Sequence, residues 1–182
     1  MSRAPVDGKY SLCIVGVGNT LAGDDGAGNR AVELLQSRYA GRDDILMHDL
    51  RTDPLELWEI LPLGRSFIFL DAIAGEPPGR LVFAGRESAM RAYPASLHHM
   101  DLPTVIRHLC RLGDLDEVEW SIWGVTIDVP DELHDGLSPV VAGAVDELVE
   151  VLARRIDSGD FSVEAPEGFE RLDGNVTEPC PE

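Results

Sequence analysis

The sequence is short of three things, and each shortage narrows what the protein can be. It has only three cysteines, Cys13, Cys110 and Cys180, and they stand far apart. An odd and scattered set excludes a disulfide framework and a Cys-x-x-Cys metal site. Cys13 and Cys110 read instead as small buried apolar side chains. No apolar run approaches the roughly 20 residues that a membrane span requires. The opening Met1-Ser2-Arg3-Ala4-Pro5-Val6-Asp7-Gly8-Lys9 does not read as a signal peptide, so a cytoplasmic protein without a membrane partner is expected. Cations are also scarce, with 15 Lys and Arg against 33 Asp and Glu and a net charge of −18. So acidic a chain disfavours nucleic acid and anionic lipid as partners.

What remains is enough for one core. With 182 residues and 44% hydrophobic content the chain can bury a single sizeable interior. Residues 1–156 read as one domain. From Asp157 to Glu182 there are eight acids and one arginine, with several prolines and glycines and few apolar residues, so 157–182 reads as a mobile acidic tail that Phe161, Phe169 and Leu172 could dock locally.

The stretch Ser11–Gln36 organises the rest. Leu12, Cys13, Ile14 and Val15 form an apolar run suited to a strand covered on both faces. Gly16 and Gly18 end it. Beyond Gly26, Ala27, Ala31, Val32, Leu34 and Leu35 recur at helical spacing, so the unit reads strand, glycine turn, helix. A dinucleotide site would need a third glycine at position 21, where Leu21 stands, and would not place Asp24 and Asp25 where a diphosphate should sit. Nucleotide binding is therefore excluded. Helix capping accounts for one of the two aspartates at most.

Alternating strands and helices follow. Residues 45–50 read as a second strand, 66–70 as a third, 80–83 as a fourth and 118–125 as a fifth, with a short helix over 55–61 whose Trp58 is expected in the core. Asp71 stands where the third strand is expected to end. A carboxylate closing a buried run is costly unless it is hydrogen-bonded, paired or bound to a cation. Ser138 and Pro139 mark the start of a long last helix whose buried stripe holds Val141, Ala144, Val145, Leu148, Val149 and Leu152. The pattern predicts an α/β protein, a three-layer α/β/α sandwich with a mostly parallel twisted sheet of about five strands and helices on both faces.

Four matches in order carry a resemblance. They are Gly16-Val17-Gly18-Asn19-Thr20-Leu21 with Asp24-Asp25-Gly26-Ala27-Gly28, then Leu70-Asp71-Ala72-Ile73, then Ser96-Leu97-His98 before a helix, then Gly136-Leu137-Ser138-Pro139 followed by Val141. The chain resembles the hydrogenase maturation proteases, which trim the C-terminus of the nickel-iron hydrogenase large subunit. Members usually carry a glycine-rich turn after the aspartate matching Asp49, where this chain has Leu50 and Arg51, so partner identity is the point at which it departs from the pattern.

The resemblance implies that Asp25, Asp71 and His98 are both the metal ligands and the catalytic residues. Asp25 follows the first strand, Asp71 closes the third and His98 follows the fourth, so all three are expected on one rim of the sheet. Two carboxylates and an imidazole suit a divalent first-row metal and do not make a closed structural zinc site. The metal implied is nickel, supplied by the precursor, with none permanently bound. In this reading the nickel serves as an anchor that the protease tests for, and Asp25 or Asp71 activates water as general base. Asp24 is expected to serve the backbone. No serine or cysteine stands in a nucleophile motif. The partner implied is the hydrogenase large-subunit precursor, met by a monomer. A non-catalytic chaperone for the same precursor would use the same three residues. A different hydrolase on a similar sheet, acting on aminoacyl-tRNA or spore protein, is disfavoured by the ordered matches.

Overall fold

A computed structural model describes residues 8–92, 102–115, 117–128 and 135–172. Six strands form one sheet in the order β2-β1-β3-β5-β4-β6. They are β1 (Leu12–Val17), β2 (Ile45–Arg51), β3 (Ser66–Ala74), β4 (Leu81–Gly85), β5 (Glu119–Ile127) and β6 (Glu170–Arg171). The helices are α1 (Ala27–Arg38), α2 (Leu57–Ile60), α3 (Arg86–Ala92), α4 (Leu102–Gly113) and α5 (Pro139–Ser158). Strand residues alternate between two cores. Leu12, Ile14, Ile68, Leu70, Trp123 and Val125 pack with α1 and α5 on one face. Cys13, Val15, Phe67, Phe69, Trp120 and Ile122 pack with α2 and α4 on the other. A three-layer α/β/α sandwich results, with one strand more than expected.

The strands that matter most for the site are parallel. β1 pairs with β2 and with β3, and β3 pairs with β5, all in parallel. β4 runs antiparallel to β5, with Gly85 opposite Ser121 and Leu81 opposite Val125. The expectation that the fourth strand ends on the same rim as the others is therefore corrected: β4 ends at the opposite rim. Two helices follow it. α4 buries Leu102, Ile106 and Cys110 against the sheet and delivers the chain to the start of β5. Its 12 residues are about 18 Å long.

β3 also runs further than expected. It continues three residues past Asp71 to Ala74, because β5 is long enough to pair with every residue from Ser66 to Ala74. α5 starts as its sequence predicts, with the Ser138 side chain accepting the Val141 N–H at 3.4 Å and Pro139 in the first turn. It ends at Gly159, whose φ of 71° is the left-handed conformation that glycine adopts without strain.

The boundary drawn at residue 157 is corrected in its first part. α5 runs to Ser158, and the segment after it returns to the domain. Phe161, Val163, Ala165 and Phe169 pack on the core, and Phe169 meets the Trp123 ring edge-on with centroids 5.2 Å apart. The Arg155 guanidinium lies 5.0 Å from the Trp123 ring centre and donates to the Ser162 carbonyl at 2.6 Å. β6 then pairs with the outer edge of β4, and Arg80 pairs with Glu170. An exposed strand edge is thereby covered. Residues 173–182 lie outside the described residues, as do Ser96, His98, His99, His134 and Cys180.

Candidate active site

The glycines of the first turn are explained by contact with the protein itself. A Cβ on Gly28 would lie 2.1 Å from the Leu70 carbonyl oxygen and 2.5 Å from that of Val17. One on Gly16 would lie 2.7 Å from the Gly28 carbonyl oxygen. α1 thus rests on β1 and β3 backbone to backbone, at a distance that only glycine allows. Gly18 has a φ of 145°, and a Cβ there would meet the Asp25 carbonyl at 2.2 Å. The loop folds back on itself tightly at that point.

Asp25 sits in a single 3-10 turn, Gly23–Gly26, immediately before α1. It is 1% exposed, and its Oδ2 accepts the Asn19 N–H at 3.1 Å. Asp24 turns elsewhere. Its Oδ1 accepts the Ser138 N–H at 2.5 Å, tying this loop to the start of α5. The backbone duty expected of Asp24 is what its geometry provides, although the helix it serves is the last one rather than the first.

Asp71 is also 1% exposed, and its Oδ1 accepts the Ala72 N–H at 2.8 Å. Its place in the sheet sets it at the rim. The last rung between β1 and β3 joins Gly16 to Leu70, so Asp71 is the first residue past the end of that ladder, while it still pairs with Gly124 on β5. The turn that carries Asp25 packs on β3. Gly28, three residues after Asp25, is the residue pressed against Leu70, the neighbour of Asp71. Both carboxylates are therefore held where β1 parts from β3, at the carboxyl rim where ligands bind in such sheets. His98, the third expected residue, lies outside the described residues, four positions before α4 begins. Among the described residues no group of three or more His, Cys, Asp or Glu could hold a metal. His48 is engaged with Glu56 at 2.7 Å, and His108 with the Thr104 carbonyl at 2.8 Å.

Two residues beside this rim were given no site role from the sequence, although Asp49 was matched to the family's aspartate. Asn29 on α1 is 2% exposed and donates from Nδ2 to Asp49 Oδ1 at 2.6 Å. Asp49 Oδ1 also accepts the Arg51 N–H at 3.1 Å, closing a turn in which Arg51 has a φ of 53°. Asn29 and Asp49 line a groove of about 600 Å³ between the β1–α1 loop and the start of α5. An asparagine on the inward side of a helix is the signal that could have found it. Cys13 is no nucleophile. Burial pushes its thiol up to about 12, so the reactive thiolate is suppressed.

The sequence model of a family described as hydrogenase maturation protease matches residues 29–155, well over half of the chain. The chain belongs to the hydrogenase maturation protease family. The match contains Asp71 and His98 and begins just after Asp25. The hydrogenase 2 maturation protease of Escherichia coli is 30% identical over 155 residues, covering 81% of this chain and 92% of that one. The hydrogenase expression/formation protein HupD of Bradyrhizobium diazoefficiens is 31% identical over 153 residues, covering 76% and 78%. Among solved structures, the hydrogenase maturating endopeptidase HybD of Escherichia coli superposes with a TM-score of 0.69 at 30% identity, covering 82% of this chain and 94% of that chain. HybD from Thermococcus kodakarensis gives 0.67 at 25% identity, covering 80% and 98%. As a hydrogenase maturation protease the chain is a hydrolase acting on a peptide bond, and its substrate is a protein. Among the described residues no helix is long and apolar enough to cross a membrane.

Proposed function

We propose that this protease removes a C-terminal peptide from the nickel-loaded precursor of a nickel-iron hydrogenase large subunit, and that the nickel already held by the precursor is what it recognises. One observation carries the reading. Two carboxylates, Asp25 and Asp71, are buried at the carboxyl rim of the sheet in a fold shared with maturation proteases. Buried carboxylates need hydrogen bonds or a cation to balance them. Each of these accepts a backbone N–H, and a metal brought by the substrate adds a cation between them at the moment of binding. His98 is the third ligand in this reading, four positions before α4 begins.

The chemistry divides between the groups. Oxygen and nitrogen donors suit nickel as a borderline first-row ion. Asp25 and Asp71 orient the precursor by its metal, and the carboxylate facing the scissile bond takes a proton from the attacking water, as an aspartyl-type endopeptidase would. The protease itself then needs no resident cofactor. The test is to incubate the protein with nickel-loaded and nickel-free precursor and follow precursor mass. Cutting of the loaded form alone is expected, and equal cutting of both removes metal recognition from the reading. Asp25→Asn, Asp71→Asn and His98→Ala should each abolish the mass shift while leaving the melting temperature within a few degrees of wild type. Wild-type rates in any of them would refute that residue's role.

A further inference from the structure

The processing proposed above requires a folded protein to present its chain beside Asp25 and Asp71, so a surface next to that rim has to hold it. Among the described residues five large apolar side chains are exposed: Leu55 at 75%, Leu112 at 74%, Leu21 at 66%, Val140 at 58% and Trp58 at 52%. Single exposed leucines need no explanation. The position of these does. Leu21 lies on the turn after β1, four residues before Asp25. Leu55 and Trp58 follow β2, three residues apart on successive helical turns, and so share one side. Val140 is in the first turn of α5, which follows β5. Because β1, β2 and β5 are parallel, four of the five leave the sheet at the rim that holds Asp25 and Asp71. Leu112 is at the end of α4 that feeds the start of β5, on the opposite rim.

Two of these loops are tied together. The Gly18 N–H donates to the Arg51 carbonyl at 3.2 Å, and Asn29 donates to Asp49 at 2.6 Å, so the turn bearing Leu21 is tied to the end of β2, from which Leu55 and Trp58 follow. A contact patch built on hydrogen-bonded loops binds without first having to be ordered. Tryptophan with aliphatic neighbours is also the composition that concentrates binding energy at protein interfaces. Exposed Asp53, Glu56 and Glu59 flank Leu55 and Trp58, so the apolar contact has an acidic rim.

We propose that Leu21, Leu55 and Trp58 are the docking contact for the folded body of the hydrogenase precursor, through an apolar patch on that partner. This rests on the proposed precursor processing and specifies where the partner sits. The test compares wild type with Leu55→Ala/Trp58→Ala, with Leu21→Ser on the neighbouring loop, and with Leu112→Ala as a control at the other rim. Processing of nickel-loaded precursor is followed by mass, and the affinity for precursor is read by calorimetry. The double variant is expected to raise KM at least tenfold, to lower kcat less than threefold and to melt as wild type does, with Leu21→Ser moving KM the same way and Leu112→Ala changing nothing. A KM within twofold of wild type in the double variant and in Leu21→Ser overturns the proposal. If wild type binds the precursor but does not cut it, the processing reading fails on its own. The docking surface is then judged by affinity: a tenfold loss in the double variant supports it, and equal affinity refutes it. No binding by wild type overturns both.

Discussion

Replacing Gly28 by alanine asks whether the close contact between α1 and β3 is what holds the two carboxylates in place. Helix propensity alone favours the change, by at most the roughly 1 kcal/mol by which alanine exceeds glycine in a helix interior, since Gly28 is only the second residue of α1. Geometry opposes it. The added methyl group would stand 2.1 Å from the Leu70 carbonyl oxygen and 2.5 Å from that of Val17, and both are backbone atoms that cannot swing aside. Reaching ordinary contact, which begins near 3.4 Å, requires α1 to retreat from the sheet by more than 1 Å. Overpacking of a well-packed interior costs about 1–3 kcal/mol, and a clash with two carbonyls belongs at the upper end. After the propensity gain, a net loss of about 2 kcal/mol is expected, or a fall in Tm of about 4–8 °C for a domain of this size. The retreat acts on the helix that follows Asp25 and against the residue that precedes Asp71, so it also changes their separation. A misplacement of about 1 Å at reacting groups costs on the order of a hundredfold in rate. Urea denaturation and precursor processing, measured on the same preparation, separate the two effects. A variant as stable as wild type, or more stable by the propensity term, would refute the packing argument. One that is destabilised yet processes at the wild-type rate would break the link between packing and site.

Two further outcomes follow from the structure. Arg51→Gly should stabilise the protein by about 1 kcal/mol in urea denaturation, because Arg51 holds a φ of 53° that costs a residue with a Cβ and not glycine, while its contact with Asp49 is exposed and worth little; a loss of stability would mean that the guanidinium makes a stronger contact than its geometry suggests. Cys13 should stay unmodified when native protein is treated with a thiol reagent at pH 8, since burial keeps its thiol protonated to about 12, and peptide mapping that finds it labelled within minutes would contradict its burial.

Much of this arrangement was written locally. The apolar run Leu12–Val15, the glycines after it and the 3.6-residue pattern from Ala27 describe strand, turn and helix without reference to anything distant, and the structure has them in that form. Ser138 and Pro139 start α5 by chemistry that lies within four residues. What depends on the partner strand was harder to read. β3 outlasts its apolar run because β5 continues beside it, and nothing between residues 71 and 74 announces that pairing. The direction of β4 is a property of its connections, and an apolar run reads the same in both orientations. Trp58 was expected inside, as most tryptophans are, and stands half exposed, because the short α2 buries Leu57 and Ile60 instead. The docking of 161–172 rests on a few apolar side chains, Phe161, Phe169 and Leu172 among them, and on Arg155 of α5; these were legible singly, but the acidic composition around them outweighed them. Of the site, Asp71 was visible as a charge in a buried run. Asp25 needed the glycine pattern around it, and Asn29 became visible only through its bond to Asp49.

The proposed function stands or falls on whether Asp25, Asp71 and His98 take one metal ion together. Crystals of the protein soaked in cadmium or nickel salt, with data collected at the absorption edge or with sufficient anomalous signal, test it without any substrate. The account predicts one anomalous peak at the carboxyl rim, within about 2.5 Å of an oxygen from each carboxylate and of a His98 ring nitrogen, and its loss in Asp71→Asn. A metal bound only elsewhere, or no peak at the rim at millimolar metal, would contradict it.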